Sequence, residues 1–129
     1  MTMDINLAEP LAELEAAFAR YEAALMANDV AALDALFAPA AATIRYGIGE
    51  NLYGIEEIRR FRGGRPTAGL ARRLSRTVIT TYGRDFGTAS TLFHRDASPG
   101  KVGRQMQSWV RANNEWRIVA AHVSVIEVS

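Results

Sequence analysis

From Ser75 onward the chain is four runs rich in β-branched and aromatic residues: Ser75 to Tyr82, Phe86 to Arg95, Val102 to Ala112 and Glu115 to Val125. Turn chemistry separates them, as Gly83-Arg84, Ser98-Pro99-Gly100 and Asn113-Asn114. Consecutive strands joined by tight turns pair antiparallel, as a meander. The first half supplies a cover for it. Leu11, Leu14, Phe18, Tyr21 and Leu25 recur at spacings of three and four, which puts them on one face of a helix. Asn28-Asp29 breaks and recaps the chain; Val30, Leu33, Leu36 and Phe37 give a second, shorter helix, stopped by Pro39. Thr43 to Tyr46 reads as a short strand, and Gly54 precedes a third helix from Ile55 to Phe61, ending at Gly63-Gly64. Helices first and strands after predict an α+β fold, with N-terminal helices packed on a curved antiparallel sheet that encloses a small-molecule pocket. The 129 residues fit one domain, 1–129, with 1–9 expected to be a flexible N-terminal segment.

Several function classes drop out. There is no cysteine, hence no disulfide, thiolate ligand or thiol nucleophile, which suits a reducing cytoplasm. Met1 to Glu9 lacks a signal-peptide pattern, and no apolar run reaches bilayer length, so neither export nor a membrane partner is expected. The formal net charge of +1 gives no global field for a nucleic acid. The two histidines, His94 and His122, stand outside any His-x-His or His-Glu-x-x-His spacing, so no metal site is expected. Gly47-Ile48-Gly49 and Gly63-Gly64 match no nucleotide-binding loop, no Gly-x-Ser-x-Gly elbow is present, and no cofactor is expected. The basic residues are nearly all arginine, and Arg59, Arg60, Arg62, Arg65, Arg72, Arg73 and Arg76 crowd one stretch. Such a run reads first as a solvated face and second as an anion-binding patch.

A loop of two residues in the last hairpin, or of four, pairs Arg111 with Trp116. The register then sets Trp109 opposite Ile118, Gln107 opposite Ala120 and Gln105 opposite His122 on one face, whereas a three-residue loop would reverse the assignment. Met106, Ser108 and Val110 share the other face with Val119, Ala121 and Val123. Neither face is strongly polar, so one is expected to cover the core and the other to form a homodimer contact.

Three polar groups converge on the interior in this reading. Tyr21 lies amid the apolar stripe of the first helix, as a core aromatic or as a phenol held in a dry pocket to donate a hydrogen bond or a proton. Arg45 faces opposite to Ile44 and Tyr46; it is exposed if Ile44 packs in the core, and a carboxylate clamp if the strand walls the cavity. His122 on an apolar strand is a satisfied core residue or a member of the site.

The runs Arg20-Tyr21-Glu22-Ala23-Ala24-Leu25, Asn28-Asp29-Val30, Ala35-Leu36-Phe37-Ala38-Pro39 and Trp116-Arg117-Ile118-Val119-Ala120-Ala121-His122-Val123-Ser124 resemble the SnoaL-like superfamily. That superfamily has the cone-shaped fold of nuclear transport factor two and ketosteroid isomerase. More narrowly, Arg45-Tyr46-Gly47, Glu50-Asn51-Leu52-Tyr53-Gly54, Thr80-Thr81-Tyr82-Gly83-Arg84-Asp85-Phe86, Thr88-Ala89-Ser90-Thr91-Leu92-Phe93 and Gly103-Arg104-Gln105 are similar to the AtzH-like branch, which includes HpxZ-type proteins of oxalurate catabolism.

That resemblance implies a small cytoplasmic enzyme of nitrogen-compound catabolism, in triazine (cyanuric acid) or oxalurate contexts, working alongside an amidase. The implied reaction removes one carboxyl group from dicarboxyurea to give allophanate. The implied catalytic residues are a tyrosine of the first helix and an arginine of the first strand, which match Tyr21 as proton donor and Arg45 as clamp. Gln105, His122 and Asn51 are expected to position the substrate. Ketosteroid isomerase pairs its tyrosine with a general-base aspartate; here the first strand offers Arg45 and Tyr46, which suits an anionic substrate. The rival expectation is a non-catalytic protein that binds a small carboxylate or supports a partner amidase.

Overall fold

The structure is a computed structural model and describes residues 3–64 and 71–128. Helix α1 (Ala8–Met26) leads into α2 (Val30–Ala35), β1 (Ile44–Tyr46), β2 (Asn51–Tyr53), α3 (Ile55–Gly63) and the long strands β3 (Arg73–Tyr82), β4 (Phe86–His94), β5 (Lys101–Ala112) and β6 (Glu115–Glu127). The expected apolar stripe of α1 is the buried one: Leu14, Phe18, Tyr21 and Leu25 all face the sheet. Asp29 caps α2 by accepting from the Ala32 amide at 3.1 Å, as its place before an apolar stripe requires. Residues 4–6, expected within a flexible segment, are instead held against the end of β3. The Asn6 amide donates to the Thr81 carbonyl, the Thr81 amide to the Asn6 side chain, and the Gly83 amide to the Asp4 carbonyl.

The six strands form one sheet in the order β2-β1-β6-β5-β4-β3. The β3 to β6 meander is antiparallel, but β1 runs parallel to β6, with Arg45 opposite Ala121. The long connection from β1 to β6, through β2, α3 and the first three strands of the meander, makes that possible, since a parallel partner needs a long crossover. Sequence reading did not foresee β2, a three-residue strand hydrogen-bonded only to β1.

The final hairpin has the two-residue loop, with Asn113 and Asn114 at φ 54° and 63°. Both lie in the left-handed region that a type I′ turn demands and asparagine tolerates. Arg111 pairs with Trp116 and Trp109 with Ile118, as expected. Beyond that point the register slips. Ser108 pairs with Ala120, leaving Val119 as an extra residue, a β-bulge. Every later side chain of β6 is thereby turned to the opposite face: Gln107 meets Ala121, Gln105 meets Val123, and Met106 meets His122.

The inner face of the sheet carries Ala89, Thr91, Phe93, Gln105, Gln107, Trp109, Trp116, Ile118 and Val123, all buried. The core forms where α1, α2 and α3 lie on this face, around Leu14, Leu33, Phe37, Ile58, Trp109 and Ile118. The outer face exposes Tyr46, Tyr53 and Met106. Among the described residues no helix is long and apolar enough to cross a membrane.

Candidate active site

One end of the layer between helices and sheet holds a cavity of about 210 Å³, lined by Tyr21, Leu25, Arg45, Ile48, Glu50, Phe61, Arg72, Arg95, Gln105 and Val123. That volume suits a small metabolite and lies below the range of drug-sized pockets. A larger surface groove beside Glu13, Arg20 and Trp116 contains none of these residues.

Tyr21 reaches the cavity from the inward face of α1 and is 4% exposed. Its ring packs edge-on against Phe37, at 6.4 Å between centroids. Arg45 reaches it from β1. Its flanking residues Ile44 and Tyr46 turn to the outer face, so the strand is the cavity wall and the guanidinium points inward, 7% exposed. Among the described residues, only one Arg45 nitrogen is engaged by a carboxylate, Nη1 donating to Glu50 Oε1 at 3.3 Å, while the guanidinium carbon sits 5.4 Å from the Phe61 ring centre. Gly47 makes that pair possible. A Cβ there would fall 1.6 Å from Glu50 Oε1 and 2.9 Å from Arg45 Nη1, so any side chain would displace the carboxylate.

Gln105 enters from β5, 2% exposed. Its Oε1 accepts from Arg72 Nη2 at 2.9 Å, which fixes the amide's orientation and leaves Nε2 buried without a partner among the described residues. The other two expected positioning residues lie elsewhere. His122 faces outward because the bulge at Val119 inverts the alternation; its ring stands edge-on to Tyr46, 6.3 Å between centroids. Asn51 is paired with Tyr46 across β1 and β2, so it shares the outer face and is exposed, while Leu52 takes the inward position opposite Arg45.

The crowded arginines divide. Arg59, Arg60, Arg73 and Arg76 are exposed, as a solvated face would have them, and Arg65 lies outside the described residues. The side chains of Arg62 and Arg72 are buried. Arg72 donates to Glu22 of α1 through Nε at 3.2 Å and through Nη2, and its guanidinium lies over the Phe93 ring. Arg62 donates to Asp34 at 3.0 Å and stacks over Phe37, the ring that also touches Tyr21. Burial lowers the Arg62 pKa from the usual arginine range, opposed first by the neighbouring Tyr21 and then by the bond to Asp34. These partners are 28 and 50 residues away in the chain, so nothing local in the sequence signals them. Arg95 was legible. Ala89, Thr91 and Phe93 alternate inward on β4, and Arg95 continues their period at the strand's end.

The cavity thus carries three guanidinium groups, a phenol and a side-chain amide against one lining acid, Glu50. Such a donor set is chemically suited to an acceptor-only group such as a carboxylate. Glu50 competes with such a ligand for Arg45. Glu50→Gln is therefore expected to tighten the binding of a small dicarboxylate such as glutarate by roughly three- to tenfold, since like charges near a protein surface repel by about a kcal/mol or more. Isothermal titration checks this, and unchanged or weaker binding would show that Glu50 orients Arg45 instead of opposing the ligand. Among the described residues, no three acidic or histidine side chains gather where they could hold a metal ion.

The chain is similar along its whole length to proteins of known structure. A protein of unknown function from Pectobacterium atrosepticum is 61% identical, with 96% of each chain covered and a TM-score of 0.94. A cystatin-like fold protein from Burkholderia xenovorans is 45% identical over 99% of this chain and 100% of its own, with a TM-score of 0.93. An NTF2-like protein of unknown function from Pseudomonas putida, 17% identical over 88% of this chain and 84% of its own, shares the fold at a TM-score of 0.74. No curated protein matches. The AtzH-like family model matches residues 3–129, and the chain belongs to the AtzH-like family, on the NTF2-like (SnoaL-like) fold.

Proposed function

We propose that the protein is a small decarboxylating amidohydrolase of nitrogen-compound catabolism, converting dicarboxyurea or a related N-carboxylated urea to allophanate. The observation that carries this reading is that Tyr21, from α1, and Arg45, from β1, line one small cavity whose cations outnumber its acids. In this mechanism Arg45 holds a substrate carboxylate with the guanidinium nitrogens that Glu50 leaves open. Gln105 presents Nε2 to the urea carbonyl or to a carboxylate. Tyr21 delivers its hydroxyl proton to the carbamate nitrogen as the carbon–nitrogen bond breaks. The bonding pair stays on nitrogen, the departing carboxylate leaves as carbon dioxide, and the phenolate regains a proton from water. Without that proton the leaving group would be a urea anion; with it, the nitrogen becomes the neutral amide of allophanate. The product keeps amide bonds, so an amidase is the class of enzyme that would act next.

The test supplies freshly generated dicarboxyurea to the purified protein and follows allophanate and carbon dioxide. Release faster than the spontaneous rate is expected. No acceleration, with small dicarboxylates still bound, would mean instead a carboxylate-binding or accessory protein for a partner amidase.

The outer face of the sheet is the proposed homodimer contact. Ile44, Tyr46, Met106, Ala120 and His122 line one shallow concavity there, and Met106 is 60% exposed at its centre strand. A largely apolar sheet face gains by being covered. Met106→Glu is expected to shift the protein from dimer to monomer in light scattering without lowering its helix and strand content; a wild type that is monomeric at high concentration would remove the proposal.

A further inference from the structure

The three arginines of the cavity are not equivalent. Arg72 is satisfied by Glu22 and by Gln105 Oε1, and its side chain is 2% exposed. Arg45 has one contact with Glu50. Arg95 has no acidic partner among the described residues, and its Nε is buried without a hydrogen bond. A second buried donor without a partner, Gln105 Nε2, belongs to the same cavity lining. Two such donors in one cavity mark a place where an acceptor belongs, because a buried polar group left unpaired loses its hydrogen bonds to water and gains nothing in return. Burial disfavours the charge on Arg95 and the neighbouring Arg72 adds to this, so an anion at that spot would relieve both. The guanidinium is held in place from one side, its carbon 5.0 Å from the Phe93 ring centre.

Arg95 also reaches the cavity from a different part of the sheet than Arg45. It directly follows β4, one strand in from the edge of the sheet, whereas β1 lies two strands beyond β5 on the other side of β6. The cavity therefore has cations on walls built from separate parts of the sheet, with Gln105 on the intervening strand β5. We propose that Arg95, with Gln105 Nε2, is a second carboxylate-binding pole that makes the site select dicarboxylates over monocarboxylates. The inference rests on the reading of the cavity as a carboxylate site, and it adds a specificity residue to Tyr21 and Arg45. Its role is to hold one end of a dianion while the other end lies on Arg45. Binding energy at the remote end can then be used to orient the reacting bond.

The experiment measures glutarate and butyrate binding by isothermal titration. The two probes share a carbon chain and differ by one carboxylate, and glutarate has the spacing of dicarboxyurea. Wild type is expected to prefer glutarate by about tenfold or more, the effect of one charge-assisted hydrogen-bonded group. Arg95→Gln should bring that preference close to unity while leaving butyrate affinity within about twofold, and Arg95→Lys should restore part of it. Arg45→Ala should weaken both probes. A glutarate preference that survives Arg95→Gln, or an equal loss for both probes, overturns the role of Arg95 and leaves the carboxylate site standing. If wild type binds neither probe, the carboxylate reading and the second pole fall together. Thermal melts of each variant confirm folding; Arg95 is part-exposed at a strand end, so its replacement costs little stability.

Discussion

Tyr21→Phe should lower turnover of dicarboxyurea by roughly 10²- to 10⁴-fold while leaving ligand affinity nearly unchanged, the signature of a lost proton donor. The substitution removes one oxygen from a side chain that is 4% exposed and keeps the ring that packs on Phe37, so the cavity keeps its shape. Arg45→Ala should fail differently. It deletes the fork that holds the carboxylate, so affinity falls by roughly 30- to 100-fold, the worth of a charge-assisted pair, and turnover falls with it. Carbon dioxide release under saturating and limiting substrate separates the two. Equal losses in affinity from both variants would mean that Tyr21 binds and does not transfer a proton; undiminished turnover in Tyr21→Phe would move the proton to another donor.

Trp109→Ala is expected to have the largest effect on stability, about 3–5 kcal/mol. Trp109 is fully buried, it sits where β5 meets the helices, and its indole N–H donates to Gln107 Oε1 at 3.0 Å. Truncation opens a cavity and strips Gln107 of the only hydrogen bond its buried side chain has among the described residues, Nε2 being already unpaired. Against a total stability on the order of 5–15 kcal/mol this leaves little reserve, and the melting temperature should fall by roughly 10–20 °C. Trp109→Phe should recover about half. A drop of only a few degrees for Trp109→Ala would mean that the sheet and helices close over the gap.

How much of this was legible in the sequence depended on whether the pattern was local. The buried stripe of α1 and the two-residue turn at Asn113-Asn114 are written in spacing and in residue type, and both stand in the structure. The placement of Arg45 was undecided from sequence because a three-residue strand offers no alternation long enough to tell its faces apart; pairing with β6 decides it. The bulge at Val119 was invisible for a related reason. Val119, Ala120 and Ala121 are consecutive small apolar residues that fit either face, so the hydrophobic pattern does not resist a slip of one. That single slip accounts for the misplacement of His122. The buried roles of Arg62 and Arg72 rest on acids far away in the chain and had no signature.

The bulge has a further consequence for how such a pocket can change. Because side chains alternate along β6, pairing Val119 itself with Ser108 in place of the bulge would exchange the lining of the chamber with its exterior from Ala120 onward: the imidazole at 122 would come to face the chamber, opposite Gln105, and the valine at 123 would leave it. Deleting Val119 would do the opposite: Ala120 would still pair with Ser108 and His122 with Met106, so the strand would straighten and the lining would be kept. A slip of one residue in pairing, with no substitution, therefore separates this chamber from one that carries an imidazole on its wall.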